Sequence, residues 1–146
     1  MTLLKIIPID TGLVPDHACQ QQALQFLINH YPKRKIEIVI TEEIEFIDPG
    51  GNFGTVRCNL CDVPITDDEW AEAMDGAYET KFTDLNFVTA CCKQITSLKD
   101  LDYEVPIGFS TFAIVVEDAN QDMSAKQVSD LETILQTKLN FIIARY

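Results

Sequence analysis

Basic residues are what this chain has least of. Eleven lysines and arginines face 23 aspartates and glutamates, a formal net charge of −12 over 146 residues. Nucleic acids and anionic membranes draw much of their affinity from neutralised phosphates. The balance therefore excludes both as expected partners. It leaves solubility, or attraction of a basic partner, as what the charge serves. Long apolar runs are also missing, and none approaches the roughly 20 residues of a membrane span. The opening MTLLKIIPID carries one lysine and lacks the length and small-residue cleavage site of a signal peptide. It reads as a first strand, and the expected location is the cytoplasm. Thiols stay reduced there, so a disulfide framework is not expected.

Histidine is scarce too. His17 and His30 lie thirteen residues apart, a spacing that does not put them on one metal-binding face of a helix. No H-E-x-x-H, H-x-E…C-x-x-C, G-x-S-x-G, P-loop or dinucleotide fingerprint is present. The stretch DPGGNFG lacks the Lys, Ser or Thr of a phosphate-binding loop and reads as a turn.

What remains is enough for one domain. At 146 residues and 47% hydrophobic, roughly two-thirds of the unfolded chain's surface can be buried. Residues 3–9 predict a strand. Pro15 and Asp16 open a helix that runs to about Tyr31, with Ala23, Phe26, Leu27 and Tyr31 on one stripe. Cys19 falls on that stripe and reads as a core residue. Residues 35–47 alternate with period two, giving one long strand or two broken near Glu42. Phe53–Arg57 should return as a short strand. Thr66 to Glu69 spells a capping box, followed by an apolar stripe of Trp70, Ala73, Met74, Ala77 and Tyr78. Asp68, Glu72, Asp75 and Glu79 form an acidic stripe with no lysine at the pairing positions. Asp84–Ala90 predicts a strand, and 93–108 a loop with short extended pieces. Phe109–Glu117 predicts a central strand, Ser124 caps a helix carrying Val128, Leu131, Ile134, Leu135 and Leu139, and Phe141–Tyr146 closes the sheet. The expected fold class is a single α+β domain over residues 1–146. In it a mixed sheet is packed by about three helices, and a zinc-knuckle elaboration covers about residues 53–100.

Four of the five cysteines form two pairs: Cys58 and Cys61 as C-x2-C, then the adjacent Cys91 and Cys92. Two cysteines separated by two residues reach one metal from a tight turn, and a second turn must complete the tetrahedron. Adjacent cysteines diverge along extended backbone, so both reaching one ion requires a kink. The expected metal set is Cys58, Cys61, Cys91 and Cys92 around one structural zinc. The variant sets are three of these with His17, His30 or water. Three other readings stay open. The thiols could pack as core residues. They could do C-x2-C redox chemistry, although the capping box starts too late after Cys61 and nearby carboxylates disfavour thiolate. Or an open zinc position could serve catalysis, with Asp62, Asp67 or Glu69 as base.

From Cys58 to Phe112 the spelling CNLC, then WAEAMDGAYETKFTDLNFVTACC, then TSLKDLDYEVPIGFSTF resembles a group of small, uncharacterised bacterial proteins. Those carry C-P-x-C, W-x2-A-M-D-x-A, F-x-D-L, T-P-C-C-G, S-L-N-D-L-x-Y and P-x-G-F-A-x-F. Asn59 and Ala90 stand where that group has prolines, and Lys93 where it has a glycine that eases the turn. The resemblance implies a zinc site and a bacterial source, and it implies no reaction. The expected function is therefore non-enzymatic: a zinc-stabilised acidic protein that meets a basic protein partner through Asp68, Glu72, Asp75 and Glu79. An immunity protein or antitoxin is one version. The alternatives are a small zinc-dependent enzyme or a thiol redox protein. Residues 58–92 hold eight carboxylates and a single base, a local concentration of charge suited to steering.

Overall fold

The period-two alternation over residues 35–47 becomes the longest strand of the chain. A computed structural model describes all 146 residues. In chain order the elements are β1 (Thr2–Pro8), α1 (His17–His30), β2 (Ile36–Ile47), β3 (Val56–Arg57), α2 (Asp67–Glu79), β4 (Asn86–Val88), β5 (Ile95–Ser97), β6 (Asp102–Tyr103), β7 (Gly108–Glu117), α3 (Ala125–Leu135) and β8 (Leu139–Arg145). Each helix starts on a side-chain cap that satisfies an otherwise unpaired N–H: Asp16 for α1, Thr66 for α2 and Ser124 for α3. Only Ser124 is part of a full capping box, with Gln127 reaching back to the cap. No helix is long and apolar enough to cross a membrane.

The four long strands form one sheet in the order β2-β7-β1-β8. The sequence predicts a mixed sheet; every ladder here is antiparallel, and the one parallel pairing is a lone bridge between Gly50 and Arg145. The reason is topological. β1 and β2 flank α1 and run parallel to each other, but β7 lies between them. β7 and β8 flank α3, and β1 lies between them. Two interleaved split βαβ units of this kind make a ferredoxin-like frame. Residues 48–107 are inserted between its second and third strands.

Ten buried residues from β1, β7, α3 and α1 with its C-cap Tyr31, among them Ile6, Leu27, Phe112, Ile114 and Leu131, form the core beneath the two helices. The other face of the sheet carries the small cluster Ile7, Ala113 and Ile142, to which no helix contributes. Edge strand β2 breaks register between Ile40 and Glu45, near Glu42 as its sequence predicts. Ile36 and Ile38 before the break pack on the frame core, while Ile44 and Phe46 after it pack on the insert. The break thus hands one strand from one core to the other.

In a second core nine buried residues of the insert, among them Val56, Cys58, Ile65, Ala77 and Leu98, pack on Phe109 of β7, with Trp70 and Met74 half-buried against them. The insert's strands are only two or three residues long, in two separate pairs, β3 with β6 and β4 with β5. Two expectations fail on helix faces. Tyr78 is 69% exposed and lies off the buried stripe of α2, in edge contact with Phe82. Cys19 is half-buried, outside every core cluster, beside the cap of α1; Gln20 takes the buried place, its amide donating to Pro15 O at 2.7 Å.

Candidate metal centre

The two cysteine turns have the same backbone. In the first, Cys58 N–H donates to Val63 O (2.9 Å) and Asp62 N–H donates back to Cys58 O (2.9 Å). In the second, Thr89 N–H donates to Gln94 O (3.1 Å) and Lys93 N–H donates back to Thr89 O (2.9 Å). Each turn ends on a non-glycine residue in the left-handed region, Asp62 at φ 64° and Lys93 at φ 56°. Each is flanked by the matching antiparallel pair, Arg57 with Pro64 and Val88 with Ile95. The match places Thr89 where Cys58 stands, Cys91 where Leu60 stands, and Cys92 where Cys61 stands. The sequence has no repeat, yet the fold builds one hairpin twice.

This match explains how adjacent cysteines converge. The tight tip supplies the kink that extended backbone lacks, and Lys93 accepts the left-handed conformation at a cost of about 1 kcal/mol. All four sulfurs come together. Cys61 Sγ lies 3.3 Å from Cys91 Sγ, and Cys58 Sγ lies 3.9 Å from Cys92 Sγ. All four lie within 4.8 Å of one another, an arrangement that could hold a metal ion. Neither His17 nor His30 belongs to the group. A metal with bonds of about 2.3 Å to four thiolates needs sulfurs about 3.8 Å apart, so the donor set fits with shifts of no more than about 1 Å in any pair.

Hydrogen bonds aim the sulfurs. Leu60 N–H points at Cys58 Sγ (3.4 Å), and the Thr89 hydroxyl contacts Cys92 Sγ at 3.1 Å. Burial pushes the Cys58 thiol up, but hydrogen bonds from the Leu60 and Cys61 amides and from the neighbouring thiols outweigh it, and the group falls to about 7. At Cys61 the Val63 amide pulls down, yet the Cys91 thiol, burial and the other two sulfurs together carry it up to about 12. One thiolate shared among protonated neighbours is the state expected of a cluster whose second charge would meet the first at contact distance.

Three residues outside the cysteines brace the centre. Glu69 does not close the capping box its spacing predicts. Its carboxylate instead accepts from Ala90 N–H at 2.8 Å, tying the first turn of α2 to the second cysteine turn. Thr96 donates its hydroxyl proton to Asn59 Oδ1 at 2.7 Å, joining one hairpin to the tip of the other. The Arg57 guanidinium donates to Asp62 O at 3.0 Å. The sequence did carry one sign of Thr89, its position three residues before Cys92, which repeats the step from Cys58 to Cys61. Nothing in the spelling marked the long-range partners of Glu69 or Asn59.

No family model, curated protein or solved structure matches this chain. The site therefore speaks through its geometry alone. Of the carboxylates that could act as a base, Glu69 is already engaged with Ala90. The acidic stripe Asp68, Glu72, Asp75 and Glu79 is exposed, and none of its members is in an ion pair.

Proposed function

We propose that the four thiolates hold one structural zinc ion and that the protein acts by binding a basic partner, not by catalysis. The observation that carries the reading is the convergence of four sulfurs, and no histidine or carboxylate, within 4.8 Å. Thiolate softness and four-fold geometry favour zinc over hard oxygen-seeking cations. Four protein ligands leave no position for a reacting water. The zinc would lock two hairpins whose own strands are too short to hold. A bacterial cytoplasm, where thiols stay reduced, suits such a site.

The partner reading rests on charge. The exposed carboxylates of α2 have no internal cations to neutralise them, so they are free to attract a basic surface. An immunity protein or antitoxin is a form this could take.

Elemental analysis of protein purified under reducing conditions, with a thiol count before and after chelation, tests the metal. The reading expects about one zinc per chain and four thiols that react only after chelation. Four freely reacting thiols in protein that takes up no zinc on reconstitution would overturn it. So would a disulfide in the metal's place, which would move the cysteines to redox chemistry.

A further inference from the structure

A groove of about 580 Å³ runs between α2 and the outer edge of β4. One wall is helix, with Glu69, Glu72, Ala73 and Gly76. The other wall is β4 with Thr89 and Ala90, which follow it. The pairing of β4 with β5 fixes which backbone groups face the groove. Thr89 N–H donates to Gln94 O, and Leu98 N–H to Leu85 O. Antiparallel ladders alternate, so Asn86 and Val88 turn their N–H and C=O groups away from β5. The Asn86 N–H is taken by Asp84 Oδ1 at 3.0 Å, and the Ala90 N–H by Glu69 at 2.8 Å. The N–H and C=O of Val88, midway between them, have no partner.

The helix wall carries a second sign. Gly76 sits inside α2, where glycine costs about 1 kcal/mol relative to alanine. No neighbour forces the choice, because a Cβ built there meets nothing within 4 Å. Its φ is not in the left-handed region either. A bare helix surface opposite a free strand edge leaves room for another backbone.

We propose that this groove takes an extended basic segment of a partner protein as an added strand on β4. The proposal rests on the basic-partner reading above and specifies its mode. Alternate side chains of an added strand point to opposite faces. One set faces α2 and its carboxylates, which calls for lysine or arginine. The other set extends the row of Val88 and Ile95, which are paired on the hairpin and 60% and 70% exposed, and this calls for apolar residues. The edge between Asp84 and Ala90 spans about 20 Å, room for about six residues.

The test uses the metal-loaded full chain and a short synthetic peptide alternating lysine and valine. A second peptide has the same sequence with alternate backbone nitrogens methylated. The Gly76→Leu variant fills the groove from a position where a side chain meets nothing, so its melting temperature should not fall. The expected result is binding of the first peptide, slower hydrogen exchange at Val88, and affinity at least about tenfold weaker with either the methylated peptide or Gly76→Leu. Equal binding of both peptides to wild type and Gly76→Leu would overturn the added strand while leaving attraction to a basic partner intact. No binding of either peptide at low salt would remove both readings.

Discussion

The frame and the insert each bury a core of their own but differ in how those residues are held. In the frame, Ile6, Ile114 and Ile142 are fully buried on strands of seven to ten residues, hydrogen-bonded along their length. In the insert, Leu98 is just as buried, yet its nearest strand has three residues and a single partner strand. Two-stranded pieces of that size are not stable alone in water. On the zinc reading proposed above, the contrast says where a metal would matter. Where backbone pairing is continuous the core needs no cross-link, and where it is fragmentary a four-thiolate centre would supply one. The hinge between the two is the register break in β2, from which Ile38 serves one core and Phe46 the other.

The strongest way to break this comparison is to remove a ligand. Cys61→Ser should abolish stoichiometric zinc and forfeit binding free energy that, at such sites, is on the order of 10 kcal/mol. Calorimetry should show the single melt of the metal-loaded protein split in two, with the insert lost first. A single melt at unchanged temperature would mean that the cysteines hold nothing up.

A pair of core truncations sharpens it. Leu131→Ala in the frame and Leu98→Ala in the insert should each cost about 2–5 kcal/mol in the zinc-loaded protein. After chelation the cost of Leu98→Ala should vanish from the remaining transition, while that of Leu131→Ala persists. Equal costs in both metal states would make the two halves one cooperative unit.

How far the sequence announced these halves follows from the range of the contacts in each. The frame's strands and helices were legible because alternation and helical spacing are local, and the break near Glu42 was readable from the same pattern. The insertion topology was not, because β7 pairs with β2 across some seventy residues and with β1 across about 110. The four cysteines that converge were legible from C-x2-C and C-C. Their duplication was hidden by chemistry: Thr89 keeps the backbone role of Cys58 and gives up its sulfur, while Cys91 supplies a sulfur from the place of Leu60. Glu69 misled because its spacing to Thr66 spells a capping box, and a tertiary partner, the Ala90 amide, outcompeted the local one. Tyr78 misled because periodicity marks a stripe but not where a helix runs past the edge of its core.

Smaller effects probe the joints. Trp70 stacks against Phe53 and Phe46 and donates from its indole to Tyr103 Oη at 3.1 Å. Trp70→Phe should cost about 1 kcal/mol, the typical worth of one such bond, in denaturant melts of the loaded protein. A cost several times larger would make the indole's bulk, not its N–H, the important term. Lys93→Gly relieves a left-handed lysine and should stabilise the loaded protein by roughly 1 kcal/mol. Destabilisation there would assign the lysine side chain a contact of its own.

Hydrogen exchange on the wild-type chain, with and without a zinc chelator under one set of reducing conditions, reads both regions at once. The account predicts that chelation strips protection from amides of the insert, Cys58, Thr89 and Leu98 among them, while Ile6, Ile114 and Val116 stay protected. Undiminished protection at Cys58, Thr89 and Leu98 after the metal is gone would contradict it.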